Sequence, residues 1–194
     1  MRFLSMILGV FLMTATAASA QEFKDPENTL LLQLKDGTVA IQLRPDKAPK
    51  TVARIKELTR QKFYDGIVFH RVIEGFMAQT GDPTGTGTSG SGKNLKAEFN
   101  DLKHIRGTVS MARAANINSA DSQFFICFKP ANFLDGQYTA FGQVISGMEF
   151  VDNITRGEPP ANPDKIITMR VAADVAKDAA QAAAAPAPAA AAAQ

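Results

Sequence analysis

The stretch FHRVIEGFMAQTGD, residues 69–82, decides how this sequence folds and where its site lies. It contains two short apolar runs around a tight connection at Gly75, and a similar run, SQFFIC, follows at residues 122–127. Arg71 and Gln79 stand among phenylalanines and methionine, with no apparent nucleophile, metal-ligand cluster or pair of carboxylates. Such a mixture suits a site that binds an uncharged segment of chain, and it does not suit hydrolysis or redox chemistry.

The first twenty residues have the pattern of a cleavable export signal. Arg2 precedes an apolar stretch at residues 3–13, and residues 18–20 have the small side chains of a cleavage site. The apolar stretch is shorter than the about 20 residues that a membrane span needs, so no stable membrane insertion is expected. We therefore expect residues 1–20 to be a signal peptide and the protein to be periplasmic.

The charge and the cysteine content further narrow the classes of protein to which the chain could belong. The 194-residue chain has 21 basic and 19 acidic residues, a formal net charge of +2, which argues against nucleic-acid binding as its main purpose. Its length suffices for one ordinary domain, and no feature indicates more than a monomer. The single cysteine, Cys127, allows no intramolecular disulfide and lies in an apolar run, so a buried structural thiol is expected.

Nucleotide and metal motifs are matched only superficially. Residues 85–90 fit the dinucleotide pattern G-x-G-x-x-G, but no helical pattern follows and no βαβ unit surrounds them. His70 and His104 are the only histidines, and neither H-E-x-x-H nor C-x-x-C occurs, so no metal site and no cofactor are expected. In a strand, His70 would share a face with Val68 and Val72, which favours a satisfied core histidine.

Short strand-like runs dominate the chain. Strands are predicted at residues 30–34, 38–43, 67–73, 76–80, 107–112, 123–128, 139–145 and 165–175, and helices at residues 50–61 and 148–155. Many short strands, Gly-rich turns and only two helices predict a mainly β domain, either closed or sandwiched and antiparallel. Residues 21–27 form a polar lead-in, and the Ala/Pro-rich residues 176–194 are expected to be a disordered tail.

Strand alternation gives a first view of the site around Arg71. Phe69 and Arg71 point to one face of their strand, and Met77 and Gln79 on the next strand can lie beside Arg71. Strict alternation turns Phe76 the other way, so geometry alone does not place it in the same pocket. Core packing is the alternative for the phenylalanines and methionine, whereas an arginine is almost never fully buried without a partner.

The second apolar run has two different faces. Gln123, Phe125 and Cys127 share one face, and Phe124 and Ile126 share the other. Apolar residues occur on both faces, so both sides of this strand are covered. One side is expected to meet the core and the other a groove.

Three ordered motifs resemble the cyclophilin family of peptidyl-prolyl cis–trans isomerases. They are F-H-R-V-I-x-x-F-M-x-Q-x-G-D at residues 69–82, G-T-V-S-M-A at 107–112 followed by S-Q-F-F-I, and F-L-D-G-Q-Y-T-A-F-G at 133–142. The similarity covers residues 28–175. It implies a closed eight-stranded antiparallel β-barrel capped by two α-helices, with a groove on its outer face.

The resemblance also implies a set of site residues. The matched catalytic positions are Arg71, Phe76, Gln79, Phe125 and Tyr138. The matched substrate-binding positions are Met77, Met111, Ala112, Arg113, Ala114, Phe133 and Leu134. The implied substrates are proline-containing segments of unfolded or newly exported polypeptides. They would be isomerised by non-covalent stabilisation of the twisted amide, without a metal or cofactor.

Two alternatives stay open at this point. The same groove could bind peptides as a chaperone with negligible isomerase turnover. The Ala/Pro-rich tail could instead give the protein a structural or cell-wall role. An isomerase assay separates the first alternative from an enzyme, and deletion of residues 176–194 separates the second.

Two departures from the best-known family pattern predict weak inhibition by cyclosporin. Phe133 stands where many members have Trp, and Tyr138 stands where many have His. Because Phe133 lacks the indole N–H donor of Trp, one hydrogen bond to the inhibitor is missing. An inhibition titration with the purified protein measures the effect, and a submicromolar inhibition constant would contradict the expectation.

Overall fold

The computed structural model describes residues 23–184, and the predicted signal at residues 1–20 lies outside them. The strands are β1 (Thr29–Gln33), β2 (Thr38–Leu43), β3 (Arg71–Ile73), β4 (Met77–Thr80), β5 (Thr108–Met111), β6 (Phe124–Cys127), β7 (Ala140–Ser146) and β8 (Thr168–Val171). The helices are α1 (Pro49–Arg60), α2 (Met148–Asp152) and α3 (Ala172–Ala184), with 3-10 turns at Pro26–Asn28 and Asn132–Leu134. In the described range, no helix is both long and apolar enough to cross a membrane.

The strands form one antiparallel sheet in the order β3-β4-β6-β5-β7-β2-β1-β8. The two apolar runs of the sequence are therefore neighbours near one end of the sheet. Their register places Gln79 opposite Phe125 and Met77 opposite Cys127. The mainly β, antiparallel fold is confirmed. Several strands are shorter than predicted, and β3 begins at Arg71 rather than at Ile67.

The prediction of a closed barrel is not confirmed, because the sheet is curled but open. β3 and β8 lie at opposite edges, and no ladder joins them within residues 23–184. Isolated bridges from Val68 to Lys165 and from Val72 to Gly157 link the β3 side to the segment that leads into β8. That segment contains three prolines at residues 159–163, which lack the backbone N–H that a continuous ladder needs.

One large apolar cluster covers the inner face of the sheet and includes residues of both predicted helices. In α1, Val52, Ile55 and Leu58 are buried, as their helical spacing predicts. Pro49 lies in the first turn of α1, where its missing N–H would have no helical partner in any case. α2 contributes the buried Val151. Both predicted helices are confirmed, although α2 is shorter than predicted.

The carboxy-terminal part of the chain corrects two predictions. The sequence predicted a strand as far as Val175 and disorder after it, but α3 spans Ala172–Ala184. Alanine has the highest intrinsic helix propensity, and the first turn of α3 is tied to α1 because Arg60 Nε lies 2.9 Å from Asp174 Oδ2. An anchored first turn supplies the start that an isolated alanine helix lacks. Residues 185–194 of the predicted tail lie outside the described residues.

Two residues at the end of β4 determine the path of the Gly/Ser/Thr-rich loop that follows. Gly81 has a φ of +93°, and a Cβ there would collide with the backbone oxygen of Ser122. Asp82 is completely buried and accepts hydrogen bonds from Thr84 N at 2.7 Å and Ser89 N at 3.2 Å. Burial raises the pKa of the Asp82 carboxyl, but these hydrogen bonds outweigh it and bring the pKa to about 2.

We expect Asp82→Asn to lower the free energy of unfolding at neutral pH by about 2 kcal/mol, because an amide replaces the charged acceptor inside the loop. The folded-state pKa of about 2 lies below the unfolded value of about 3.9. The carboxylate therefore makes its full contribution to stability above the unfolded-state pKa. This contribution is lost as the pH falls towards the folded-state pKa. Urea denaturation at neutral and acidic pH measures the change.

Asp178→Asn is the matched control, since Asp178 is an exposed residue of α3. It is expected to leave the stability unchanged at both pH values. A stability difference between wild type and Asp82→Asn that stays constant down to a pH of about 2 would contradict the assigned role of the carboxylate.

Candidate active site

A groove with an apolar floor lies on the outer face of the sheet, where β4 and β6 meet the second 3-10 turn. It encloses about 260 Å³. The lining residues are Arg71, Phe76, Met77, Gln79, Ala112, Arg113, Phe125, Phe133, Leu134 and Tyr138. The groove thus brings together every residue that the sequence assigned to catalysis. It also contains every residue assigned to substrate binding except Met111 and Ala114.

Strand alternation in β4 and β6 builds the floor of the groove. On β6, Phe124 and Ile126 enter the large core, whereas Phe125 and Cys127 join a smaller cluster with Met77. The predicted division of this strand into two faces is therefore confirmed. Phe125 is 4% exposed and Met77 is 1% exposed, so the floor is dry. Burial raises the pKa of the Cys127 thiol to about 12, as suits a structural thiol.

Phe76 reaches the groove because it lies in a turn and escapes strand alternation. β3 and β4 pair Ile73 with Met77, which leaves Phe76 as the last residue of the connection. Gly75 has a φ of +71°, and Phe76 N donates to Ile73 O at 3.0 Å. The Phe76 ring lies 5.5 Å from the ring of Phe133, measured between centroids. The turn therefore directs the Phe76 ring into the groove, which strand alternation alone would not do.

The opposite wall comes from the second 3-10 turn and the residues after it. Leu134 is buried, whereas Phe133 is 66% exposed at the rim. The Tyr138 ring meets the Phe125 ring edge to face at 6.1 Å. The Arg113 guanidinium lies over the Tyr138 ring, 4.5 Å from its centroid. This cation–π contact and the aromatic pair hold the wall against the floor.

A buried histidine supports the floor from behind. The His104 ring stacks on Phe125 at 6.2 Å, its Nδ1 is 3.0 Å from Asp135 Oδ1, and its Nε2 is 3.0 Å from Ser110 Oγ. Burial lowers the pKa of His104, although Asp135 opposes the shift. The backbone N–H and the ring of His104 bring the pKa of Asp135 to about 2. No sequence pattern predicted this role, because His104 and Asp135 are 31 residues apart.

A chain of polar side chains runs along the open side of the groove. Arg71 Nε donates to Glu158 Oε2 at 2.8 Å, and Arg71 Nη1 lies 3.5 Å from Gln79 Oε1. Gln79 Nε2 donates to Gln123 Oε1 at 2.9 Å, and Gln123 Nε2 donates to Gly87 O at 3.0 Å. The Arg71 side chain stays 41% exposed. The guanidinium therefore lies between the solvent and the dry floor.

The family of the chain follows from a direct match. The family model for "Cyclophilin type peptidyl-prolyl cis-trans isomerase/CLD" matches residues 29–171. The chain belongs to the cyclophilin-type peptidyl-prolyl cis–trans isomerase family. The predicted resemblance and the predicted enzyme class are confirmed, and this cyclophilin is an isomerase.

Relatives and solved structures agree with the family match. A probable peptidyl-prolyl cis-trans isomerase of Brucella suis is 52% identical over 178 residues, which cover 83% of this chain and 88% of the relative. Peptidyl-prolyl cis-trans isomerase B of Bacillus subtilis is 45% identical, over 64% of this chain and 89% of the relative. Cyclophilin AquaCyp293 from Hirschia baltica superposes with a TM-score of 0.72 at 29% identity, over 77% of this chain and 76% of that one.

A cyclophilin type isomerase of Cryptosporidium parvum, crystallised in the presence of the dipeptide Ala-Pro, is also similar. It superposes with a TM-score of 0.69 at 30% identity, over 74% of this chain and 98% of that one. Among residues 23–184 of our chain, no group of three or more His, Cys, Asp or Glu side chains is placed to hold a metal ion.

The assignment of Met111 to the site needs correction, and Ala114 lies beside the groove. Met111 is 1% exposed and packs in the large core, because alternation at the end of β5 gives the outer face to Ala112. Ala114 is exposed and lines a neighbouring cavity of about 460 Å³ beside the Gly/Ser/Thr-rich loop. Gln79, Ala112 and Arg113 line both cavities. Ala114 therefore flanks the groove, whereas Met111 does not reach it.

His70 is buried, as predicted, but it is not a satisfied core residue. Its ring lies beside Gly87 of the Gly/Ser/Thr-rich loop. Within the described part of the chain, neither ring nitrogen has a hydrogen-bond partner. His70 does not line the groove. Its ring packs instead against the Gly/Ser/Thr-rich loop.

Two polar residues of the rim were missed by the sequence analysis. Gln123 shares a strand face with Phe125, and this spacing was a usable signal for a second glutamine at the groove. Glu158 had no such signal, because its contact with Arg71 spans 87 residues of sequence. Only the path of the segment after α2 brings the two side chains together.

Proposed function

We propose that Arg71 is the catalytic residue of this isomerase and that the apolar floor binds the proline ring. The observation that best supports this proposal is that the Arg71 guanidinium lies at the edge of the apolar pocket with N–H donors available to a ligand. Among residues 23–184, Arg71 Nη2 has no hydrogen-bond partner. The other arginine of the groove, Arg113, is already engaged, because its Nη1 donates to Ala114 O at 2.9 Å and its Nη2 donates to Gln137 O at 3.2 Å.

The chemistry of the amide explains why such a donor suffices. Resonance stiffens the C–N bond and gives rotation a barrier of about 18–20 kcal/mol. Twisting by about 90° breaks this resonance and returns the lone pair to the prolyl nitrogen. A donor aimed at that nitrogen stabilises the twisted state more than either planar state, which is the requirement for catalysis. Arg71 supplies this donor with a permanent charge and a planar, directional fork.

The other residues of the groove assist in two ways. Phe76, Met77, Phe125 and Leu134 grip the proline ring and exclude water from it. Gln79 makes a weak 3.5 Å contact with Arg71 Nη1 and is itself held by Gln123. Tyr138, Phe133, Ala112 and Arg113 complete the walls beside the bound chain, and Ala114 flanks the path of the residues next to the proline.

Proline-containing segments of unfolded polypeptides are the proposed substrates. The groove continues past Ala112 and Arg113 into the neighbouring cavity, so a chain can extend on from the proline pocket. The Ala-Pro dipeptide used with the Cryptosporidium parvum relative supports this class of ligand. Cyclosporin remains a weak ligand in this proposal, because Phe133 offers no N–H donor at the rim.

The proposed role is assistance to the folding of newly exported proteins in the periplasm, by a monomeric enzyme. The support is the signal-like pattern of residues 1–20. Uncatalysed isomerisation takes tens to hundreds of seconds and limits the folding of many chains. The binding-only chaperone is the less favoured alternative, because the chain belongs to an isomerase family.

We expect Arg71→Ala to lower kcat/KM at least about tenfold, the equivalent of one charged hydrogen bond in the transition state. The protein should stay folded, because Arg71 is a partly exposed residue at an edge strand. A protease-coupled assay with a proline peptide measures turnover, and circular dichroism reports the fold.

Arg44→Ala is the matched control for this substitution. Arg44 has a 38% exposed side chain and a 2.7 Å ion pair with Asp46, so it resembles Arg71 in exposure and pairing but lies outside the groove. Its loss should leave turnover unchanged. Turnover close to wild type in Arg71→Ala would refute the role assigned to the guanidinium.

The export proposal predicts cleavage after Ala20. Expressed in a Gram-negative bacterium, the full chain should be recovered from the periplasmic fraction with Gln21 as its first residue. A chain that begins at Gln21 after an initiator methionine should stay in the cytoplasm. Fractionation and amino-terminal sequencing measure both outcomes, and an intact Met1 on the recovered full chain would contradict cleavage.

A further inference from the structure

Glu158 is the acidic side chain that touches the proposed catalytic guanidinium. Its Oε2 accepts a hydrogen bond from Arg71 Nε at 2.8 Å, a length typical of a charge-assisted pair. The other contact of the guanidinium, from Nη1 to Gln79 Oε1, is 3.5 Å long and therefore weak. Glu158 is thus the main partner of Arg71 within the described part of the chain.

The backbone delivers Glu158 to this position. Gly157 exchanges two hydrogen bonds with Val72, each 2.8 Å long, in an isolated antiparallel bridge. Antiparallel neighbours of a bridged pair lie opposite each other across the two chains. Glu158 follows Gly157 and Arg71 precedes Val72, so these two side chains form a cross-strand pair at the edge of the sheet.

The segment that carries Glu158 has a defined path on both sides of it. Gly157 has a φ of +145°, and a Cβ there would collide with the backbone of Pro160, so only glycine fits. Asp164 Oδ2 accepts hydrogen bonds from Thr155 N at 2.7 Å and from Thr155 Oγ1 at 2.8 Å. The Glu158 side chain is 52% exposed, but the backbone that presents it is tied down.

We propose that Glu158 is a positioning residue for Arg71. By accepting the Nε hydrogen bond, it fixes the plane of the guanidinium and leaves the Nη donors facing the groove. This inference rests on the catalytic role proposed for Arg71. An exposed ion pair contributes little to stability, so the consequence of the contact is orientation rather than folding.

The carboxylate also has an opposing effect, because its negative charge weakens the positive field of Arg71. That field effect acts across a half-exposed rim, where water and salt screen it. The hydrogen bond to Nε acts directly and restricts a side chain with several rotatable bonds. Positioning therefore dominates, since small misplacements of a catalytic group carry large rate penalties.

Two substitutions at this position separate orientation from charge. Glu158→Ala is expected to lower kcat by about three- to tenfold with KM nearly unchanged, because the floor still binds the proline ring. Glu158→Gln should retain most of the wild-type kcat, since its amide oxygen still accepts from Nε. The ¹⁵N NMR signal of Arg71 Nε–H reports the contact directly and should shift far more in Glu158→Ala than in Glu158→Gln.

Glu74→Ala is the matched control. Glu74 Oε2 accepts from Arg156 Nε at 2.7 Å, so the substitution removes a carboxylate from the same kind of exposed pair without touching Arg71. It should leave kcat and the Arg71 Nε–H signal unchanged. Equal losses of kcat in Glu74→Ala and Glu158→Ala would overturn the inference, because they would show a general effect of charge.

The double variant distinguishes a failure of this inference from a failure of the proposed function. If Glu158 acts through Arg71, Glu158→Ala should cause no further loss in the Arg71→Ala background. Wild-type turnover of Arg71→Ala alone would refute the catalytic role of Arg71. If Arg71→Ala is slow but Glu158→Ala has an unchanged or raised kcat, only the positioning role is overturned. An additive loss in the double variant would have the same consequence.

Discussion

The pairing of β4 with β6 fixes both the core and the groove of this cyclophilin. With Gln79 opposite Phe125, alternation sends Phe124 and Ile126 into the large inner cluster and leaves Phe125 and Cys127 for the outer face. A shift of one residue would exchange the two sets. It would expose the core phenylalanine and turn a glutamine towards the apolar interior. The large inner cluster therefore enforces the register on which the floor of the groove depends.

The open edge of the sheet also affects the site. Because prolines at residues 159–163 interrupt hydrogen bonding, the segment after α2 meets β3 at one residue pair, Val72 and Gly157, and then leaves it. A full ladder at this edge would cover more of the strand that carries Arg71. The single bridge instead brings Glu158 to one side of the guanidinium and leaves the other side open to the groove. The same prolines thus keep the sheet open and leave the Arg71 side chain accessible.

Periodicity predicted the strands and the first two helices, because these features depend on local spacing, whereas most of the groove was predicted from the resemblance of three motifs to the cyclophilin family. The inward position of Met111 was also available from spacing, because Met111 shares a face of β5 with Val109, whereas Thr108 and Ser110 share the other. The family motif outweighed this signal. Other features depended on information that local spacing does not contain. Phe76 lies in a turn whose geometry follows from Gly75. Glu158 and α3 depend on contacts with Arg71 and with α1 across long stretches of sequence.

The position of Arg71 between water and the dry floor bears on how much rate enhancement it can supply in its proposed catalytic role. An acceleration on the order of five decades requires about 7 kcal/mol, whereas one charged hydrogen bond contributes about 1.5–3 kcal/mol net. In the free enzyme the Arg71 side chain is 41% exposed, so water competes for its donors. A proline ring seated on Met77 and Phe125 would cover the inner side of the guanidinium and displace that water. The same hydrogen bond then acts at lower dielectric, where it is stronger. In the proposed mechanism, substrate binding itself therefore completes the electrostatic environment of the Arg71 guanidinium.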